Sequence, residues 1–109
     1  MISKTPPPPY YAVIFTSIRT EGDNGYGKTA QRMVELALEM PGCLGAESAR
    51  EEVGITVSYW KDLESIKNWK YQMEHVDARN KGREIWYSHY KLRIALVERD
   101  YGFEKWIES

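Results

Sequence analysis

The order of strand-like and helix-like segments constrains the fold of this chain more than any other feature. Four segments have the β-branched, aromatic or alternating composition of strands, and two have the three- and four-residue spacing of an amphipathic helix. The strand-like segments are 10–19, 43–51, 55–60 and 89–101, and the helical ones are 28–40 and 62 to about 80. The order β-α-β-β-α-β predicts an α+β, ferredoxin-like fold, in which a four-stranded antiparallel sheet carries both helices on one face.

The alternation within the strands predicts which side chains share a face of the sheet. In the third strand, Ile55, Val57 and Tyr59 point away from the side that Trp60 takes. In the last strand, one side consists of Tyr90, Leu92, Ile94 and Leu96, and the other of Lys91, Arg93 and Ala95. Because two helices cover only one face, we expect the second face to find a partner. A homodimer is therefore predicted.

Length and composition define the class of protein. The 109 residues suffice for one domain, expected over residues 10–101, between a Pro-rich spacer (1–9) and an arm (102–109) that contains Trp106. A net charge of −1 and a third strand without an RNA-binding motif argue against a nucleic-acid partner. The chain has neither an apolar run that could span a membrane nor an apolar leader, so we expect a cytoplasmic protein.

The segment NWKYQMEHVDARNKGREIWYSHY (68–90) holds the residue types that carry chemistry, including both histidines. His75 has Arg79 one helical turn away, which disfavours the imidazolium and favours a neutral ring that can accept a proton. His75 is therefore the candidate general base, and the alternative is a partly exposed helix histidine. His89 stands at a strand start and is a weaker candidate. Neither histidine has helical neighbours suited to a metal ion, and Cys43 is the single cysteine, so no metal site is predicted.

Helical spacing in the same segment predicts a binding surface. One stripe faces the sheet and ends in two polar residues; its members are Ile66, Trp69, Met73, Val76, Asn80 and Arg83. The two polar side chains suit a polar group on a flat ligand, or else they cap and pair locally. The aromatic residues predicted to cluster as part core and part pocket are Trp69, Trp86, Tyr87 and Tyr90. A further interpretation makes these rings, Tyr90 above all, the contact between two copies of the chain.

Three stretches of the sequence resemble the antibiotic biosynthesis monooxygenase family: SYW at the end of the third strand, KDLESIKNWK, and EHVDARNKGREIWYSHYKLRIALVER. The residues that carry the resemblance are Trp60, Trp69, His75, Gly82, Arg83, Trp86, Tyr87 and Tyr90. The resemblance implies a dimeric α+β barrel with a pocket between the helices and the sheet. It also implies enzymes that oxygenate polycyclic phenols and quinols without a cofactor, or that degrade haem.

Two departures from the family pattern bear on the activity. Branches that degrade haem or oxidise quinols carry an asparagine on the first strand, where this chain has Thr16 and Ser17. The haem branch has its histidine at about the position of Arg79, so haem degradation is not expected. We expect a cofactor-independent monooxygenase that acts on a small, flat quinol- or polyphenol-like substrate, with His75 as the catalytic base. The expected substrate-binding residues are Trp60, Trp69, Asn80, Arg83 and Trp86. The alternative is a non-catalytic dimer that binds small molecules or is associated with stress.

Overall fold

The computed structural model describes residues 2–105, and the predicted arm residue Trp106 lies outside them. The elements are β1 (Tyr10–Arg19), α1 (Tyr26–Glu39), β2 (Cys43–Arg50), β3 (Gly54–Trp60), α2 (Leu63–Lys70), α3 (Met73–Lys81) and β4 (Tyr87–Val97). A π-helical turn, Gly82–Trp86, joins α3 to β4. The sheet is antiparallel with the strand order β2-β3-β1-β4, which confirms the predicted ferredoxin-like α+β fold. Within residues 2–105, no helix is long and apolar enough to cross a membrane.

The helices cover one side of the sheet, which we call the helix face. Val13 of β1 pairs with Ser58 of β3 and with Ile94 of β4 on this side. Val13 also packs in the core with Ala37 of α1 and Ile66 of α2. The register therefore places the leucine and isoleucine side chains of β4 on the helix face, and it confirms the predicted alternation of this strand.

The opposite side, which we call the open face, is partly covered by the chain termini. The backbone N–H of Ser3 donates to the Glu47 carboxylate at 2.8 Å, and the Thr5 hydroxyl donates to the Tyr10 hydroxyl at 3.1 Å. The Tyr10 hydroxyl in turn donates to the carboxylate of Asp100, just after β4, at 2.5 Å. The Pro-rich lead is thus tied to the sheet at two points, and one end of the open face lies beneath it.

Helix α1 buries a narrower strip than its spacing predicts. The helical spacing of Ala30, Met33, Val34, Ala37 and Leu38 predicts that they form a core stripe. Ala37 and the neighbouring Leu36 are buried, whereas Val34 and Leu38 are exposed. The helix packs against β2 and α3, so only the side turned towards both is covered. The predicted core stripe of this helix is therefore wrong at these two positions.

The second predicted helix is in fact two helices, α2 and α3, joined by a two-residue elbow. The Gln72 side chain caps α3 by accepting a hydrogen bond from the backbone N–H of His75. Side chains of α3 reach back to the last carbonyls of α2: His75 Nδ1 lies 2.8 Å from the oxygen of Trp69, and Arg79 Nη1 donates to the oxygen of Lys70 at 3.1 Å. These bonds satisfy backbone groups that a helix end leaves unpaired.

The elbow removes Met73 from the predicted stripe. Met73 begins α3 and is 81% exposed, whereas Ile66 of α2 is buried and Val76 of α3 is half-buried. A two-residue interruption changes the direction of the helix axis and the phase of its faces, so a spacing counted through it fails. The prediction that Met73 faces the sheet is therefore wrong.

Candidate functional site

Three rings stack on the helix face where β3 leaves the sheet. The centroids of Trp60 and Trp69 are 6.2 Å apart with planes inclined by 26°, and those of Trp69 and His75 are 4.1 Å apart at 11°. Trp60 is 0% exposed, and its Nε1 donates to the hydroxyl of Ser58 at 2.9 Å. We call Trp60, Trp69 and His75 the ring stack. It is assembled from the end of β3, the last turn of α2 and the first turn of α3.

The tautomer of His75 follows from its bond to the backbone. A carbonyl oxygen only accepts, so the contact with the Trp69 oxygen requires Nδ1 of His75 to carry the hydrogen. In the neutral ring, Nε2 is then the lone-pair acceptor. Burial lowers the pKa of His75, the bond to the Trp69 oxygen opposes this shift, and Arg79 lowers the pKa further. The predicted direction is confirmed, but burial is the larger cause.

Nε2 of His75 remains available to a ligand. Within residues 2–105, Nε2 makes no hydrogen bond. Nε of Arg79 is the one side-chain polar atom of these residues that is both shielded from solvent and without a partner, so Nε2 of His75 is in contact with solvent. The ring is therefore held from the Nδ1 side and open at Nε2. This geometry suits a group that takes a proton from a bound molecule.

A second group of rings lies at the other end of the helix face; we call it the tyrosine cluster. Its members are Phe15, Tyr26, Trp86, Tyr87 and Tyr90. Tyr26 contacts Trp86 and Tyr87 edge to face, with centroids 5.8 and 5.6 Å apart. Phe15 lies 5.4 Å from Tyr87 and 5.3 Å from Tyr90. Trp86 is buried, and its Nε1 donates to the oxygen of Asn24 at 2.9 Å.

The predicted aromatic cluster is therefore divided between two places. Trp69 belongs to the ring stack, while Trp86 and its two tyrosine neighbours belong to the tyrosine cluster. The π-helical turn is bound to the end of β1, because the oxygen of Trp86 accepts from the backbone N–H of Thr20 at 2.9 Å and from Nε of Arg19 at 3.0 Å. The aromatic residues of this one segment therefore lie in two separate places in the structure.

The two polar residues at the end of the predicted stripe have different surroundings. Arg83 lies in the π-helical turn, is exposed, and donates from Nε to the hydroxyl of Tyr90 at 2.7 Å. Asn80 is exposed on α3 and makes no side-chain hydrogen bond to any residue between 2 and 105. Tyr90 lies on the helix face, which puts it beside the site rather than on the open face.

An apolar surface connects the ring stack to the tyrosine cluster. Leu92, Ile94 and Leu96 of β4 lie on the helix face, yet they are 49%, 50% and 48% exposed. Leu96 pairs with Tyr11, which pairs with Trp60 of the ring stack. We call this strip of β4 the trough. Six residues of strand separate Leu96 from Tyr90, so the row of the ring stack and the row of Tyr90 are about 20 Å apart along β4.

Sequence reasoning missed three residues of this face: Phe15, Tyr26 and Arg50. Phe15 has the same phase in β1 as the core residue Val13, so the alternation rule alone places it on the helix face. Arg50 lies in a row with Gly54, the first residue of β3, and a glycine paired within a sheet is a sign that another group approaches closely. Tyr26 begins α1, and no pattern in the sequence indicates its contacts.

A model of the family described as antibiotic biosynthesis monooxygenase matches residues 9–81. The chain belongs to this family. The Bacillus subtilis (strain 168) protein YqjZ, which is described as uncharacterized, is 53% identical over 106 residues, which are 95% of this chain and 93% of that protein.

Solved structures of this family's fold are similar to the chain at low sequence identity. A variant of SnoaB, a cofactor-independent oxygenase from Streptomyces nogalater, has a TM-score of 0.72 at 9% identity, with 84% of this chain and 95% of that one covered. Rv0793 from Mycobacterium tuberculosis has a TM-score of 0.75 at 8% identity, with 85% and 99% covered. At such identities the likeness concerns the fold.

The two positions considered for a first-strand asparagine lie on opposite faces. Ser17 is on the helix face and is 1% exposed, whereas Thr16 pairs with Ile55 on the open face. Cys43 packs against the core, and burial raises the pKa of its thiol. Among residues 2–105, no group of three or more His, Cys, Asp or Glu side chains is arranged to hold a metal ion.

Proposed function

We propose that this member of the antibiotic biosynthesis monooxygenase family is a monooxygenase for a small, flat aromatic substrate of the quinol or polyphenol type. The substrate lies in the trough on the side chains of Leu92 and Ile94, with a hydroxyl group directed at His75. The substrate supplies the electrons for oxygen, so the reaction needs no cofactor. SnoaB, which shares this fold, is a cofactor-independent oxygenase and supports the proposal at the level of chemistry.

The observation that carries the proposal is the fixed orientation of His75. Its Nδ1–H is committed to the Trp69 oxygen at 2.8 Å, and its ring stacks on Trp69, so neither rotation nor tautomer exchange is free. The lowered pKa keeps Nε2 unprotonated near neutral pH. A general base needs both properties: the right protonation state and a held position.

The proposed reaction balances without a further reactant. His75 takes a proton from the substrate, and the resulting anion gives electrons to O₂. Overall, a phenol with a free ring C–H opposite its hydroxyl group becomes a quinone; one oxygen atom enters the substrate at that carbon, and the other leaves as water with the hydrogens of the O–H and C–H groups. The apolar side chains of the trough favour the binding of a flat hydrocarbon skeleton, and the bound skeleton displaces bulk water during these steps.

The other predicted binding residues divide into contacts and supports. Trp60 and Trp86 are buried, so we propose that they back the rings in front of them rather than touch the substrate. Trp69 presents its edge to the ligand and holds His75 in place. Arg83 and Asn80 face solvent near the substrate's polar end, where Arg83 acts together with Tyr90.

We also propose that the protein is a homodimer through the open face. Ile14 and Val57 pair with each other at its centre, and Ile55 and Ile18 are 45% and 43% exposed. Isolated apolar side chains are ordinary on a protein surface, but a contiguous patch on one sheet face favours a partner.

Oxygen uptake with a panel of quinols and anthrone-type phenols tests the activity, and His75→Asn tests the base. Asn places an amide N–H near the position of Nδ1 and can keep the bond to the Trp69 oxygen, but it has no group at Nε2. We expect turnover to fall by about 10²- to 10⁴-fold while substrate binding persists. His89→Asn is the matched control, because His89 is exposed on the open face.

Two results would contradict the proposal in different ways. Turnover of the His75→Asn protein within about tenfold of the wild type would show that His75 is not the base. Saturable binding of quinols to the wild type without any oxygen uptake would instead favour the non-catalytic small-molecule-binding dimer.

A further inference from the structure

A row of four residues crosses the whole sheet at the tyrosine-cluster end of the helix face. Arg50 of β2 pairs with Gly54 of β3, Gly54 pairs with Ser17 of β1, and Ser17 pairs with Tyr90 of β4. Neighbouring strands are about 4.8 Å apart, so the row spans about 14 Å between its outer Cα atoms. The two middle positions carry small side chains, and both residues are buried beneath the side chain of Arg50.

Arg50 lies across these two positions rather than pointing to solvent from its edge strand. Its Nη1 donates to the oxygen of Ser17 at 3.4 Å, and its Nη2 donates to the hydroxyl of Ser17. A Cβ atom on Gly54 would lie 2.1 Å from Cζ of Arg50, so only glycine permits this crossing. The guanidinium is thus directed inward, over the helix face.

The other end of the row carries a second guanidinium. Arg83 holds the hydroxyl of Tyr90 with Nε at 2.7 Å, and it uses no other donor towards residues 2–105. Arg19 adds a third positive charge nearby: its Cζ lies 3.7 Å from the centroid of the Tyr26 ring, and Cζ of Arg50 lies 5.8 Å from the same centroid. Three arginines therefore surround one group of rings.

No carboxylate of residues 2–105 forms a salt bridge with the arginines at this place. Within residues 2–105, Arg32 is the one arginine in a salt bridge, and Arg19, Arg50 and Arg83 bind only carbonyl or hydroxyl oxygens. The carboxylate of Asp23, which follows β1, accepts from the backbone N–H groups of two glycines instead. Converging cations without a carboxylate partner are favourable for an anionic ligand.

The tyrosine cluster supplies neutral donors beside these cations. Burial raises the pKa of Tyr87, hydrogen bonding to Tyr26 raises it further, and the nearby Arg50 and Arg19 oppose the rise. The hydroxyl of Tyr87 therefore stays protonated at neutral pH. A ligand anion would meet donors rather than competing negative charge.

We infer that Arg50 and Arg83 bind a carboxylate at one end of the aromatic substrate, while its rings lie along the trough. The planar guanidinium matches a carboxylate through paired N–H groups, and both arginines have donors left for this purpose. This inference deepens the proposed function and rests on it, because the carboxylate belongs to the same substrate molecule that lies in the trough. It names the substrate class as aromatic acids.

Binding of a matched pair of probes tests the inference without any turnover. Anthraquinone-2-carboxylate and anthraquinone-2-carboxamide have the same size and ring system and differ in charge. We expect quenching of the protein's Trp and Tyr fluorescence to give a dissociation constant at least about tenfold lower for the carboxylate. In Arg50→Gln, the carboxylate should bind about 10- to 100-fold more weakly, with the carboxamide within about twofold of wild type.

Further variants separate recognition from structure. Arg50→Gln can also weaken the sheet, because Arg50 latches β2 to Ser17 of β1 across Gly54. Arg83→Gln leaves that latch intact and should lower carboxylate affinity in the same direction. Arg99→Gln removes an exposed cation that follows β4, at the end of this strand away from the tyrosine cluster, and should change neither probe. Thermal unfolding followed by circular dichroism shows which variants are folded.

Each outcome decides the inference. Equal affinity for the two probes, or no saturable quenching by the carboxylate up to about millimolar concentration, overturns it and leaves oxygen uptake with neutral quinols unaffected. A folded Arg83→Gln protein with unchanged carboxylate selectivity also overturns it, because the arginines are then structural. If the selectivity is present but no quinol or aromatic acid supports oxygen uptake, the binding site stands and the monooxygenase proposal fails.

Discussion

His75 combines a structural role with the proposed chemical one through its two ring nitrogens. Nδ1 binds the oxygen of Trp69 at the end of α2, and this bond persists whether or not Nε2 carries a proton. Protonation during a reaction therefore leaves the elbow between α2 and α3 intact. The sequence predicted the residue and the direction of its pKa shift from Arg79, but not the bond to Trp69, because that bond exists only where the helix breaks.

The lowered pKa of His75 predicts how the stability of the protein depends on pH. The folded-state pKa lies below the ordinary value of 6.5, so between the two values the unfolded chain binds more protons than the folded one. The contribution of His75 to the free energy of unfolding is therefore constant above about pH 6.5. As the pH drops from about 6.5 through the folded-state pKa, the free energy of unfolding falls. Urea unfolding at several pH values between about 8 and 5 measures this slope.

The His75→Asn protein isolates the contribution of this histidine. Its free energy of unfolding should lack the decrease with falling pH that His75 causes. The difference in free energy of unfolding between this protein and the wild type should therefore shrink as the pH falls below about 6.5. His89→Asn should keep the His75 slope. A wild-type and a His75→Asn protein with parallel stability curves between these pH values would show that the ring is not desolvated as described.

At the scale of elements, strands are better predicted from this sequence than helices. β1 has the predicted bounds, Tyr10–Arg19, and the faces of β3 and β4 follow from alternation alone. The elbow between α2 and α3 was missed because no proline or glycine marks it; side chains of α3 cap α2 instead. Side-chain caps of this kind depend on tertiary placement, which local spacing does not encode.

The contact between the α1–β2 turn and α2 predicts a large effect for Gly42→Ala. Gly42 has φ of 86°, and a Cβ atom there would lie 2.0 Å from Oγ of the buried Ser65 in α2. The positive φ alone should cost about 1–3 kcal/mol of unfolding free energy, and the clash should add about 1–3 kcal/mol more. Urea unfolding monitored by circular dichroism measures the loss.

Gly25→Ala separates the two causes. Gly25 has φ of 83°, but a Cβ atom there would have no other atom within 4 Å. Its destabilisation should therefore equal the conformational part alone. Equal losses for the two variants would show that Ser65 moves away freely and that α2 is not positioned through this contact.

At the scale of the molecule, the fold places two aromatic groups at opposite ends of one apolar strip. The row Trp60–Tyr11–Leu96 and the row Gly54–Ser17–Tyr90 are set by strand pairing between distant parts of the chain. The sequence therefore predicted which residue types lie on the helix face at the candidate site, but grouped Trp69 with Trp86. The order in which the strands pair, not the spacing along one segment, determines which of these rings share a site.

The open face gives the last prediction, the oligomeric state. The Pro-rich lead covers its Tyr10 end, and the half-exposed Ile55 and Ile18 lie at its other end. A second copy of the chain should bury this uncovered half. Sedimentation equilibrium at micromolar concentration should then give twice the chain mass for the wild type. Ile55→Glu should give a monomer, because a carboxylate buried without a partner costs more than a small interface contributes.

Val53→Glu is the matched control for this substitution. Val53 is 47% exposed, similar to Ile55, but it lies in the turn between β2 and β3 and belongs to neither face of the sheet. The Val53→Glu protein should remain a dimer with wild-type stability. A monomeric wild type would show that the open face is solvated. A dimeric Ile55→Glu protein would move the interface to the exposed leucine and isoleucine side chains of β4, where a second copy would cover the trough and its substrate.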